Sequence, residues 1–107
     1  MEDQNQQIQK LQQLEQNMQS FMMQRQSFQS QFLDTENALK EMQTPQKEVY
    51  KIMGTIMRSV SQEEIKKELE EKKEILNLRI RSIEKQEDIL KKESDKIKKE
   101  VMNNLKQ

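Results

Sequence analysis

The chain offers 19 acidic and 19 basic side chains but no histidine, no cysteine and a single glycine. Any chemistry therefore falls to carboxylates, ammonium groups and guanidinium groups. Without imidazole or thiol, the commonest general base, the thiolate nucleophile and the usual zinc ligands are missing, and one glycine cannot build a phosphate-cradling loop. The charges instead pair at four-residue spacing, at Glu63/Lys67, Glu68/Lys72, Glu87/Lys91, Asp88/Lys92 and Asp95/Lys99. That spacing supports an exposed helix by roughly a few tenths of a kcal/mol per pair. Carboxylates strung along a solvated helix have no pocket to shift their pKa, so no catalytic residue, metal site or cofactor is expected.

The elements that carry these side chains follow from composition and spacing. With 32% hydrophobic and 36% charged residues among 107, the chain is too polar to close a compact globule of its own. It must stay disordered or bury its apolar residues along a partner, and regular apolar spacing decides for folded helix. Balanced charge gives no reason to expect nucleic acid or an acidic membrane as ligand. The start, MEDQNQQIQK, is acidic and glutamine-rich where a signal peptide would be basic and then apolar. No apolar run approaches the roughly 18 residues of a membrane span, so a soluble, cytoplasmic location is expected.

Residues 4–43 carry apolar side chains at seven-residue intervals, with Leu11, Met18, Phe32 and Leu39 at one core position and Leu14, Phe21, Phe28 and Met42 at the other. Only Arg25 and Thr35 interrupt this coiled-coil seam. Thr44 and Pro45 then end the helix, because the residue before a proline is pushed out of the helical region. A second helix, residues 62–106, is announced by the capping box Ser61-Gln62-Glu63-Glu64. Its seam runs through Leu69, Leu76, Ile83, Leu90 and Ile97, and the alternate core position is read as Ile65, Lys72, Arg79, Gln86 and Glu93. Each helix spans about 60 Å at 1.5 Å per residue, and a short connection favours an antiparallel pair. A register that aligns the strong layers sets Phe28 opposite Leu76, Phe21 opposite Ile83 and Leu14 opposite Leu90. It also sets Phe32 opposite Lys72, Arg25 opposite Arg79 and Leu11 opposite Glu93.

Between the helices, residues 48–60 read EVYKIMGTIMRSV and suit one pair of short strands. Met53-Gly54 is read as the turn, with glycine supplying a positive backbone dihedral. Tyr50 and Met57 then share one face, and Val49 and Ile56 share the other with Lys51 and Arg58. An isolated two-stranded hairpin is marginal in water and has two unpaired edges, so it is expected to complete a sheet with other chains. Val49, Tyr50, Ile52, Met53, Gly54, Ile56, Met57 and Val60 are the expected oligomer interface.

The stretch VYKIMGTIMRSV followed by EEIKKELEEKKEILNLRIRSIEKQE resembles the β-class subunits of prefoldin, in which a V-Y-K-x-x-G hairpin precedes a Glu/Lys/Leu-rich helix ending in an I-E-K-Q-E-like segment. The likeness is densest over residues 48–90, and as helix-hairpin-helix architecture it extends to the whole chain. Its methionine- and hydroxyl-containing second strand, TIMRSV, departs from the aliphatic run expected there. The resemblance implies a mainly α fold, a long antiparallel two-helix coiled coil whose single β-hairpin joins an oligomeric β-barrel, the whole of residues 1–107 forming one domain. It further implies a heterohexamer with α-class subunits and further β-class chains. In that assembly an ATP-independent holdase binds unfolded polypeptides at the coiled-coil tips and transfers them to a group II chaperonin.

Ile8, Leu11 and Leu14 on the first helix and Ile97, Val101, Met102 and Leu105 on the second are the expected client-binding residues, because helix ends fray and expose what they bury. The same residues also read as the last layers of an ordinary core. Among the methionines, Met18 and Met42 fall on the seam and Met53 and Met57 in the hairpin, while Met22, Met23 and Met102 are better placed for exposed contact. A structural coiled-coil tether or scaffold, with the hairpin serving only to dimerise it, is the rival reading. A nucleic-acid binder is a third, disfavoured by the interleaved charges.

Overall fold

A computed structural model of the chain describes residues 2–106, so Met1 and Gln107, the ends of the expected domain, lie outside the described residues. The element order is α1 (Glu2–Glu41), β1 (Val49–Met53), β2 (Ile56–Val60) and α2 (Gln62–Lys106). The chain divides into two compact units. One pairs α1 up to Ser27 with α2 from Ile80 onward, and the other runs from Phe28 to Arg79 and includes the hairpin.

Helix boundaries follow local chemistry. At the start of α2 the Glu64 amide donates to Ser61 Oγ at 3.2 Å, satisfying one of the unpaired donors of the first turn, and Glu63 and Glu64 place negative charge at the positive end of the helix. Helix α1 stops at Glu41, two residues short of the expected end. The Met42 amide still reaches the Ala38 carbonyl at 3.1 Å, but the Gln43 amide bonds Lys40 at 3.2 Å, a tightened last turn before Pro45. Gln62 ties this end to the start of α2. Its Nε2 donates to the carbonyls of Met42 at 2.7 Å and Thr44 at 2.8 Å, while its Oε1 accepts from the Gln46 amide at 3.1 Å.

In the first unit, Leu14 lies in the core with Ile80, Ile83 and Ile97, and Ser94 is buried there too. Leu11, Met18, Phe21 and Leu90 are half-buried beside them. The two helix segments run antiparallel, joined by Gln7 Nε2 to Glu100 Oε2 at 3.2 Å, Lys10 Nζ to Glu93 Oε1 at 3.1 Å and Arg25 Nε to Glu87 Oε1 at 2.7 Å.

In the second unit the core residues are Leu76 and Thr35, whose hydroxyl donates to the Gln31 carbonyl at 2.8 Å and so leaves no unmet donor. Phe28, Phe32, Leu39, Ile65 and Leu69 are half-buried. Two cations cap the aromatic rings, Lys73 Nζ lying 5.7 Å from the centre of Phe32 and Arg79 Cζ 5.6 Å from that of Phe28.

These positions correct the reading of the alternate core position on α2. Lys72, Arg79 and Gln86 are exposed, whereas Lys73, Ile80, Glu87, Ser94 and Val101 are buried or half-buried. The alternate position thus sits one residue further along, so the step from Leu76 to its next inward neighbour is four residues rather than three. Phe32 consequently meets Lys73 rather than Lys72, and Arg25 finds its partner in Glu87.

Strands β1 and β2 pair antiparallel, with Val49 opposite Val60, Tyr50 opposite Ser59, Lys51 opposite Arg58, Ile52 opposite Met57 and Met53 opposite Ile56. The turn is therefore Gly54-Thr55, one residue later than expected from sequence. Gly54 has φ +60°, the left-handed conformation that a two-residue hairpin turn demands and that glycine adopts without penalty.

Candidate functional site

The hairpin presents two chemically different faces. Pairing sets Val49, Lys51, Met53, Ile56, Arg58 and Val60 on one side and Tyr50, Ile52, Met57 and Ser59 on the other. The first side is turned to the start of α2. Lys51 Nζ lies 2.9 Å from Glu68 Oε2 and Arg58 Nη2 lies 3.6 Å from Glu64 Oε1, and Val49, Lys51 and Val60 are half-buried. The second side has no cover, with Ile52 70% exposed and Met57 63% exposed. Near the turn Met53 and Ile56 are exposed as well.

Isolated surface apolar residues are ordinary, but here they cluster on a two-stranded sheet whose outer edges carry unpaired backbone groups. Such a surface pairs naturally with further strands. Tyr50 adds a polar margin. Its hydroxyl donates to Glu48 Oε2 at 2.7 Å, and this bond to a carboxylate, with a smaller contribution from desolvation, raises the phenol above its ordinary 10.0.

The expected interface residues Val49, Tyr50, Ile52, Met53, Gly54, Ile56, Met57 and Val60 are thus brought together in one hairpin but divided between its faces. Tyr50, Ile52 and Met57 form the open side, and Val49 and Val60 lie on the α2 side. The sequence reading puts Lys51 and Arg58 on the Val49 face but not opposite each other, and it gives Gln62 no tethering role. The identity of Lys51 and Arg58 as cross-strand neighbours needed the register.

The second candidate surface belongs to the other unit, where the first turns of α1 lie beside the last turns of α2. Ile8, Met102 and Leu105 are exposed there, with Leu105 at 66%. Leu11 and Val101 are half-buried, whereas Leu14 and Ile97 belong to the core at 6% and 7%. Only the outermost side chains of the expected set are available without loosening the helices. Lys98, Lys99 and Lys106 lie within a turn or so of Met102 on α2, so the apolar spot has a mostly cationic margin, with Asp95 further back. Elsewhere on α1, Met22 and Met23 are exposed.

Among the described residues no group of His, Cys, Asp and Glu could hold a metal ion, and no helix is long and apolar enough to cross a membrane. The arrangement presents apolar surface at two places.

Comparison with known proteins agrees with this architecture. The prefoldin subunit family matches residues 5–107. The chain is 36% identical over 98 residues to a prefoldin subunit beta of Archaeoglobus fulgidus, covering 90% of this chain and 84% of that protein. It is 31% identical over 96 residues to one of Caldivirga maquilingensis, covering 88% and 79% respectively. In fold it resembles the crystal structure of the prefoldin beta subunit from Thermococcus strain KS-1 with a TM-score of 0.91, at 24% identity, covering 98% of this chain and 94% of that one. The beta2 subunit of the same strain gives a TM-score of 0.75 at 17% identity over 81% of this chain and 95% of that one. Helix, single hairpin and helix, matched along nearly the full length in sequence and in fold, establish that the chain belongs to the prefoldin subunit family.

Proposed function

We propose that the chain is a β-class prefoldin subunit that acts without ATP as a holdase, capturing non-native polypeptides at the open end of its coiled coil and passing them to a group II chaperonin in the cytoplasm. Membership of the family implies a chaperone role rather than catalysis, and prefoldin beta subunits form hetero-oligomers with other prefoldin subunits. Under this reading the uncovered Tyr50, Ile52 and Met57 face joins α-class and further β-class chains through a shared sheet. Burying the two large aliphatic side chains of that face contributes about 1.5–3 kcal/mol each, enough to hold a hairpin that is marginal alone.

The observation that carries the holdase function is the exposure of Ile8, Met102 and Leu105 where α1 begins and α2 ends. Holding an unfolded chain requires only reversible apolar contact, and a flexible thioether adapts to many partners. Leu11 and Val101 extend this surface, and Leu14 and Ile97 join it when the last turns fray. The lysines around Met102 keep the unoccupied surface soluble.

The test is the triple variant Ile8→Ser, Met102→Ser and Leu105→Ser, assembled with its partner subunits. Suppression of aggregation of a denatured protein, followed by light scattering, is expected to fall at least several-fold while the size of the assembly stays the same. Undiminished suppression would remove the holdase assignment from these residues.

A further inference from the structure

Lys51 and Arg58 stand directly opposite each other on the two strands and point to the same side of the hairpin. Two like charges in that position repel, and by themselves they weaken strand pairing. The structure supplies what offsets the repulsion. Two carboxylates one helical turn apart on α2 face the two cations, Glu68 at 2.9 Å from Lys51 and Glu64 at 3.6 Å from Arg58. A second contact joins Lys51 Nζ to Glu68 Oε1 at 3.0 Å, so the ammonium spans both carboxylate oxygens.

Glu64 has an alternative explanation as a first-turn acid beside the positive end of α2, but Glu68 lies a full turn beyond that and is half-buried. Four residues of spacing on the helix match the cross-strand separation of the two cations. Turned the other way, the hairpin would leave Lys51 and Arg58 facing each other without a counter-charge. It would also press Tyr50, Ile52 and Met57 against α2.

We propose that Lys51, Arg58, Glu64 and Glu68 form an electrostatic clamp that fixes which face of the hairpin lies on α2, and so keeps the Tyr50, Ile52 and Met57 face outward for assembly. These are positioning residues, since none belongs to the apolar surface itself. The inference rests on the proposed role of the hairpin in assembly. The Arg58–Glu64 pair is largely solvent-exposed and the Lys51–Glu68 pair partly so, and each is weak alone. The clamp matters because a two-stranded hairpin is marginal alone and, beside the charges, has only the half-buried Val49 and Val60 on its α2 side.

The test uses the full chain with Lys51→Glu and Arg58→Glu together, and the fourfold swap that adds Glu64→Lys and Glu68→Lys. Amide hydrogen exchange over residues 49–60 reads docking of the hairpin in the lone chain, and size-exclusion chromatography after mixing with an α-class subunit reads assembly. The double reversal is expected to speed exchange by about fivefold and to lower the assembled fraction, with far-ultraviolet circular dichroism unchanged. The fourfold swap restores both. Salt adds a signature that simple packing does not produce, since raising sodium chloride from 0.05 to about 1 M speeds exchange in the wild type and slows it in the double reversal. Exchange unaffected by the double reversal, or not restored by the swap, overturns the clamp. Failure of the wild-type chain to assemble with α-class subunits defeats the assembly role instead, and the exchange measurements still decide the clamp.

Discussion

Arg25 and Glu87 both occupy inward-facing seam positions, and their Nε and Oε1 atoms meet at 2.7 Å with side chains 28% and 23% exposed. An ion pair so placed gains from a partly dry environment and loses hydration for the same reason. Removing one member leaves the other half-buried and unpaired. Arg25→Leu or Glu87→Leu alone is expected to destabilise by about 1–2 kcal/mol, the deep-burial figure being discounted because about a quarter of each side chain still reaches water. The double variant to leucine should be no less stable than the wild type, because it converts a polar layer into an ordinary apolar one. Urea denaturation of the four members of this cycle checks both statements. Two single variants as stable as the parent would show that the pair contributes nothing.

The corrected phase of α2 makes a sharper contrast between neighbours in sequence. Ile80 is 8% exposed, while Arg79 lies outside the seam and covers the Phe28 ring. Ile80→Ala is expected to cost about 2–4 kcal/mol through lost burial and the cavity left behind. Arg79→Ala loses only a partly solvated cation–π contact, about 0.5–1 kcal/mol. Thermal melts of the two variants should therefore separate clearly, with Ile80→Ala the lower.

Gly54 requires a positive φ, yet a methyl group added there meets nothing within 4 Å. The cost of Gly54→Ala is thus backbone strain alone, about 1–2 kcal/mol, and falls on the hairpin rather than the helices. Gly54→Asn should cost less, since asparagine visits the left-handed region more readily. Amide exchange over residues 49–60 reads the difference, with helix content by circular dichroism as the control.

Tyr50 provides a prediction in pH. Its raised phenol pKa, caused first by the Glu48 carboxylate and then by desolvation, means that the folded hairpin holds the proton more tightly than the unfolded chain. The contribution is complete below the unfolded value near 10 and is lost as pH rises through the higher folded value. Absorbance at about 295 nm, where tyrosinate absorbs, should show a midpoint above 10.0, and Glu48→Gln should move it down. A midpoint at the ordinary value in the intact chain would mean that the Tyr50 hydroxyl does not hold its bond to Glu48 in solution.

How much of this architecture was legible from residues depended on whether each seam position was apolar. On α1 the inward positions carry leucine, methionine and phenylalanine almost throughout, so Leu11, Leu14, Met18, Phe21, Phe28, Phe32 and Leu39 could be read directly. On α2 one inward position holds Lys73, Glu87 and Ser94, and hydrophobicity alone cannot choose between Lys72 and Lys73 or between Gln86 and Glu87. Ile80 and Val101 are the apolar residues on that position, and a seam drawn through Arg79 misses the phase they set.

The hairpin shows why an error need not spread. Moving the turn from Met53-Gly54 to Gly54-Thr55 changes every cross-strand partner but preserves the alternation of faces, so Tyr50 and Met57 remain on one side. Of the candidate client residues, Leu11, Leu14 and Ile97 are legible as seam members, but the sequence does not say which of the set are exposed and which covered. Leu14, Leu11 and Ile8 share similar chemistry and differ in how many layers lie beyond them, which only coordinates reveal.

Glutamine is the commonest residue on the surface of α1 between its seam residues, whereas α2 is laced with opposite charges, of which Asp88 and Lys92 meet at 3.1 Å. Glutamine tolerates a helix but adds little to hold one against fraying. During synthesis α1 leaves the ribosome some sixty residues ahead of its counterpart, with a bare stripe of phenylalanine, leucine and methionine and few local contacts to lock its shape. The nascent polypeptide must therefore wait for its second half before the first becomes secure.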